Sequence, residues 1–278
     1  MNIGIRMHDM AAGTIEERAL LAKQQGFTCV HLALGKTISP AYMDPAAATP
    51  GLAKHLNEML HGVDVAVLGC YLNLAHPDEQ EYQKILKKYV AHLQLCRWMG
   101  AGVVGTETGN PNAAYRYDPV ASHTEAALSL FIDRLRPVVE AAEKIGATMA
   151  IEPVYTHIVS DGKRARKVLD AIHSTNLKII FDPVNLLHPD NVMRRDAVID
   201  EAIDLLGDEI AVVHMKDYHA TPDALVACAP GLGEMNYDTV LRYCIEHKPY
   251  VQMTLEDTKP DNAEQARLFL EERAEALR

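Results

Sequence analysis

A chain of 278 residues that is 48% hydrophobic and 23% charged has the composition of a globular protein and enough apolar material for a sizeable core. Its formal net charge of -11 argues against nucleic acid as the main partner, because phosphate binding needs a basic surface. No apolar run approaches the roughly 20 residues needed to span a bilayer, so no membrane partner is expected.

In chain order, the N-terminus "MNIGIR" runs straight into a short alternating segment with no leader-like pattern. The five cysteines are dispersed, with no CxxC pair, which reads as reduced thiols and a cytoplasmic protein. Apolar runs that read as strands lie at 2–6, 28–34, 63–73, 102–108, 148–154, 177–183, 210–217 and 250–257. Amphipathic segments between them, at 14–26, 81–101, 123–146, 163–174 and 235–247, have apolar residues at three- and four-residue steps. Glycine ends "KQQG", "RWMG" and "EKIG", a common helix stop.

Strand and helix alternating eight times predicts parallel pairing with crossover helices. A (β/α)8 TIM barrel, one domain over 1–278, fits this length. A doubly wound sheet is the alternative, weakened because no Gly-rich fingerprint follows the first strand.

The polar residues that end the later strands carry the chemistry. The fifth strand ends at Glu152, the sixth at Asp182, the seventh at His214 and the eighth at Glu256. In a barrel those ends converge on one mouth. Three carboxylates there repel one another unless a cation or protons neutralise them. Three oxygen donors with one imidazole suit Mn2+, Mg2+ or Co2+ better than a structural zinc.

With "AIEP", "IIFDPVNLL", "VVHMKD", "GLGEMNY" and "TLED" in this order, the sequence resembles the sugar phosphate isomerase/epimerase family, the xylose isomerase-like barrels. The resemblance implies one divalent ion, manganese first with zinc also possible, on Glu152, Asp182, His214 and Glu256. It also implies a small sugar or sugar-derived substrate and possible homo-oligomers. The expected activity is isomerisation or epimerisation through an enediolate, with Glu152 and Glu256 as the acid/base pair. Dehydration of a keto-inositol or keto-sugar is the alternative. An apurinic endonuclease and a non-catalytic sugar-binding barrel are less favoured; His31, which ends the second strand, would bear on the former. The substrate contacts of ketose 3-epimerases are replaced here by Ile158, Asn185 and Ala220, so free-ketose 3-epimerisation is not expected.

Other residues are candidates for the substrate shell. Asn185 follows the sixth strand. Lys216 faces either a substrate oxygen or a salt bridge with Glu152 or Asp217. Glu107 ends the fourth strand and acts as a further acid/base group or pairs with Lys216. His157 is a substrate contact or a surface-loop histidine. Arg6, His8 and Asn73 follow or end the first and third strands. The segment 218–233 is long for a barrel connection and reads as a loop covering the pocket. "GKRARK" (162–167) reads as a solvated basic face, and "GLGEMNY" as a tight loop before a helix.

Overall fold

Each apolar run becomes a strand, and eight of them pair in parallel. The computed structural model, which describes residues 1–278, contains β1 (Asn2–Arg6), β2 (Cys29–Leu32), β3 (Asp64–Gly69), β4 (Val103–Glu107) and β5 (Met149–Glu152). It continues with β6 (Leu177–Phe181), β7 (Ile210–Met215), β8 (Asp217–Ala220), β9 (Leu225–Cys228) and β10 (Gln252–Leu255). All but β8 and β9 form a closed barrel, in the order β1-β10-β7-β6-β5-β4-β3-β2. β10 pairs with β1 and so closes the ring.

The crossovers carry α1 (Ile15–Gln24), α2 (Leu34–Thr37), α3 (Pro50–Met59), α4 (Glu79–Met99) and α5 (Glu125–Ile145). They continue with α6 (Gly162–Ile172), α7 (Arg195–Leu206), α8 (Asp238–His247) and α9 (Ala263–Ala276). Thr14 and Glu17 form a reciprocal capping box at the start of α1. α4 and α5 stop at Gly100 and Gly146, whose φ values of 71° and 73° an L side chain rarely adopts.

Burial falls into two unequal sets. One cluster of 67 residues joins the outward faces of the strands to the helices, and a separate cluster of 7 fills the barrel interior. The stabilising apolar area is therefore mostly outside the barrel, between sheet and helices. The interior plug is small: Cys29, Val67, Val103, Ala150, Ile180 and Val212 are among its members. Gly105 completes it, since a Cβ there would lie 2.6 Å from both Ile180 Cδ1 and Val67 Cγ1.

Strand side chains alternate faces, so the residue two positions beyond each plug residue also points inward. Those positions are His31, Gly69, Glu107 (after Gly105), Glu152, Asp182 and His214. Arg6 and Glu256 stand likewise on the two strands of the closing seam. An apolar layer thus supports a polar layer at the C-terminal end of the barrel.

Two expectations are corrected. The segment 218–233 is not simply a loop: β8 and β9 make an antiparallel hairpin with Asp217 opposite Cys228. Asp217 anchors it, with Oδ1 accepting from the backbone N–H of Tyr218 and Met235 at 2.8 Å each, and Oδ2 from Gly231 at 3.1 Å. The basic run 162–167 is not wholly a solvated face. Arg164 is buried and its guanidinium donates to the carbonyls of Ile158 (2.6 Å), His123 (3.1 Å) and Thr124 (3.0 Å). Lys163 and Lys167 do remain on the surface, paired with Glu201 and Glu125.

Arg164 ties the loop after β5 to the start of α5, so its truncation strands buried carbonyls. Arg164→Met is expected to cost roughly 2–4 kcal/mol, read as a lowered urea midpoint with unchanged far-UV circular dichroism. A loss within experimental error would show that the clamp contributes nothing.

Candidate active site

Four side chains meet at the mouth. Glu152 is the last residue of β5, Asp182 follows β6, His214 lies in β7 and Glu256 follows β10. All four are buried, and one donor atom from each lies within 4.8 Å of those of the others. His214 Nδ1 is 3.4 Å from Glu152 Oε1 and 3.2 Å from Glu256 Oε1. Asp182 is fixed by its own turn, with Oδ1 accepting from the backbone N–H of Val184 (2.9 Å) and Asn185 (3.1 Å). Pro183, which has no N–H, lets the chain leave the ladder at this point.

Cations surround the carboxylates. Lys216 Nζ lies 3.1 Å from Asp182 Oδ2 and 3.4 Å from Glu256 Oε2, and donates to Asn185 Oδ1 at 2.7 Å. Arg6 Nη1 is 3.3 Å from Glu256 Oε2, while its other nitrogens meet Asp9 and Asp257. Burial alone would raise Glu256, but His214, Lys216 and Arg6 outweigh it and hold the carboxyl well below the usual range. Burial alone would lower His214, but Glu256 and Glu152 push it up to about 9. Burial, only partly offset by Lys216, pushes Asp182 up to about 6. Lys216 is raised in spite of burial by Asp182 and Glu256, so it stays charged.

The cavity above this cluster measures about 270 Å³, room for one small molecule. Of the residues picked out from the sequence, Glu152, Glu256, Asn185, Lys216, Glu107, Arg6 and His8 line it. Asn185 bridges the site, its Nδ2 donating to Glu152 Oε1 at 2.6 Å while its Oδ1 accepts from Lys216. Lys216 therefore pairs with Asp182 and Glu256 rather than with Glu152 or Asp217. Glu107 does not pair with Lys216; it accepts from the Tyr115 hydroxyl at 3.1 Å and faces His157 Nε2 at 3.8 Å. His157 is not a surface-loop residue but is largely buried behind Glu107. Asn73 does not line the cavity: its amide donates to the carbonyls of Asn110 and Asn112 and braces the loop after β4.

Sequence reasoning missed Tyr71, Tyr115 and Lys36, and considered His31 only in a different role. His31 stacks on His214 and on Tyr71, with centroids 5.4 Å apart in both pairs. Burial, with His214 beside it, drives His31 well below its ordinary value, so it is neutral. Gly69 makes room for it, since a Cβ there would lie 2.7 Å from His31 Nε2. The signal for His31 was its place at a strand end; Tyr71 and Lys36 lie beyond their strands and carry no such signal.

Residues 19–273 match the model of the xylose isomerase-like TIM barrels. This chain belongs to that family. Among solved structures, 3-keto-D-glucoside 4-epimerase from E. coli superposes with a TM-score of 0.76 at 16% identity, over 98% of this chain and 99% of that one. The IOLI protein, solved with a bound zinc atom, gives 0.75 at 16% identity, over 100% and 98%. A probable 3-DHS dehydratase from Bacillus anthracis gives 0.69 at 15% identity, over 100% and 98%. No curated protein matches the sequence. At such identities the likeness to these structures establishes a shared barrel.

The xylose isomerase-like site has the chemistry of a metal centre. His214 Nε2 is buried with no partner, while Asp182 Oδ2 and His214 Nδ1 meet only ion pairs without hydrogen-bond geometry. Two donors on one ion lie at most about 4.2 Å apart, so a cluster spanning 4.8 Å needs only small side-chain shifts to hold one. Three carboxylates with an imidazole fit a divalent cation.

Proposed function

We propose that the chain is a divalent-metal-dependent isomerase or epimerase of a sugar or sugar derivative that removes a proton next to a carbonyl. The observation that carries this reading is the buried convergence of Glu152, Asp182, His214 and Glu256 beneath a cavity of small-molecule size. The epimerase among the structural neighbours supports it. Glu152, Asp182, His214 and Glu256 would hold the ion, with Mn2+ the first candidate and Mg2+, Co2+ or Zn2+ alternatives. When bound, the ion supplies Lewis-acid polarisation of the substrate carbonyl.

The chain's own residues then do the following. Glu152 takes the proton from the carbon next to the carbonyl, leaving an enediolate. Asn185 fixes the Glu152 carboxylate through its 2.6 Å bond. For isomerisation Glu152 returns the same proton to the neighbouring carbon. For epimerisation Glu256, ionised at rest and reached from the other side of His214, would deliver to the opposite face a proton first taken from solvent, while Glu152 gives its own up to solvent. Lys216 keeps its charge at the cavity wall, where the ammonium, already bound to Asn185, Asp182 and Glu256, favours negative charge developing nearby through its field. Tyr71, stacked on His31 and with its hydroxyl unpartnered, is free to meet a substrate hydroxyl.

A dehydratase is the second reading. Glu107 favours it: this carboxyl lies in register beside Glu152, lines the cavity, and is raised by burial. A carboxyl held higher than usual is suited to protonating a departing hydroxyl. Ultraviolet absorbance of an enone product separates the two.

Glu152→Gln keeps size and removes the base. It is expected to slow exchange of the substrate carbon-bound proton with deuterated solvent by about 10²–10⁴-fold, followed by NMR across sugars, sugar acids and sugar phosphates. Undiminished exchange would remove Glu152 from its role.

Metal affinity should depend on pH in a direction set by His214. Without metal the imidazole stays protonated up to about pH 9, and it must lose that proton to become a ligand. Binding therefore releases a proton below that value. Affinity is expected to rise about tenfold per pH unit from pH 7 and to level off as pH passes His214's value. Calorimetric titration at several pH values checks this, and a flat profile would contradict it.

A further inference from the structure

We infer that Glu107 binds a hydroxyl of the substrate, so that the part of the substrate lying against β4 is neutral and carries neither a phosphate nor a carboxylate. This deepens the proposed function and rests on its reading of the cavity as the substrate site, whichever of the two reactions follows.

Glu107 differs from Glu152, Asp182 and Glu256 in having no counter-charge. Each of those three has a cation within 3.4 Å, in His214 or Lys216. No lysine or arginine comes within 4.0 Å of Glu107. Its neighbour His157, at 3.8 Å, is neutral because burial pushes it down to about 4. The two oxygens of Glu107 also differ. Oε2 accepts from the Tyr115 hydroxyl at 3.1 Å and is the oxygen that His157 faces. Oε1 has no hydrogen bond and no ion pair with the protein, yet it is not closed off from solvent. The side chain is 31% exposed, points inward from β4 and lines the cavity, so the cavity is what Oε1 faces.

Tyr115 supplies the second, independent observation. It is a tyrosine at a φ of 55°, a region that bulky side chains rarely adopt, and it lines the same cavity. Its loop is braced by Asn73, whose amide donates to the carbonyls of Asn110 and Asn112, and by Ser122, which donates to Asn110 Oδ1 at 2.7 Å. Backbone of this kind persists where its surroundings over-determine it. Here it sets a phenol on Oε2, which fixes the carboxyl and leaves Oε1 to an incoming group. A hydroxyl suits that oxygen whether the acid is ionised or protonated, because it both donates and accepts. A phosphate or a carboxylate is repelled by a carboxylate that no nearby cation offsets. Glu107 and Glu152 are paired residues of adjacent strands, so the bound hydroxyl stands close to the carbon that Glu152 deprotonates.

The test uses the full chain loaded with Zn2+ and isotope-labelled at the glutamate carboxyl carbons. The NMR signal of Glu107 is assigned by its loss in Glu107→Gln. The probes are ribitol, a neutral five-carbon polyol, and inorganic phosphate, titrated separately. Ribitol is expected to move the Glu107 signal saturably, and phosphate to leave it in place. Ribitol binding, read from the polyol's own signals, is expected to weaken about tenfold in Glu107→Leu and in Glu107→Ala. Two apolar variants are used so that one which fails to fold, by far-UV circular dichroism, leaves the other. A Glu107 signal that ribitol does not move, or that phosphate moves as far, would overturn the inference. So would ribitol binding undiminished in the folded variant. Failure of the proposed function looks different. Ribitol held by Glu107 where no sugar exchanges protons leaves this contact and removes the reaction. Sugars that exchange protons while ribitol leaves the Glu107 signal unmoved do the reverse.

Discussion

Three carboxylates buried within a few ångströms of one another repel, and most of what surrounds them answers that repulsion. Glu152, Asp182 and Glu256 meet a matching set of cations in His214, Lys216 and Arg6. This balance is not a source of stability, because taking ions out of water offsets much of their attraction. Stability comes from the large apolar layer between barrel and helices. What the cations provide is counter-charge that lets the carboxylates lie close together in the barrel mouth. The same balance makes His214 the group that must change state, since a second positive charge on the cluster favours release of its proton.

The geometry follows from strand alternation. A small apolar plug forces the next inward side chain of each strand to be the one that lines the mouth. That position holds a metal-capable residue on β5 and β7 and just past β6 and β10. Turn chemistry then adjusts individual atoms. The Asp182 carboxylate spends one oxygen on its own 3-10 turn, which leaves the other facing the cluster. Asn185, carried by that turn, links Glu152 to Lys216 and so couples the orientation of a proposed base to that of the nearest buried cation. Where ketose 3-epimerases place a histidine, this chain places a bridge within the protein.

The strands and the four clustered residues were legible in the sequence because both signals are local. A charge ending an apolar β run stands out against its neighbours, and four in succession leave few structural explanations. The hairpin β8–β9 was not legible. Its strands are short and half-exposed, so alternation is weak, although "TPD" between them is a turn signal. Arg164 was misread for a similar reason: in a basic run at a helix start, nothing in the sequence distinguishes the arginine that turns inward from the lysines that do not. Lys216 and Glu107 were placed at the right mouth with the wrong partners, since strand spacing tells which end of the barrel a side chain reaches and not which neighbour it touches.

Arg6 shows the limit most clearly. Its contact with Glu256 spans nearly the whole chain, and only the pairing of β1 with β10 creates it. Before that seam closes, Glu256 lacks one of the cations that hold it ionised, and the cluster has an excess of negative charge. Barrel closure and assembly of the site are thus one event: the last strand brings the last carboxylate and receives its counter-charge from the first. One side of the cavity is lined from β4 to β7 and the other from β10, β1, β2 and β3, with Glu256 on the second.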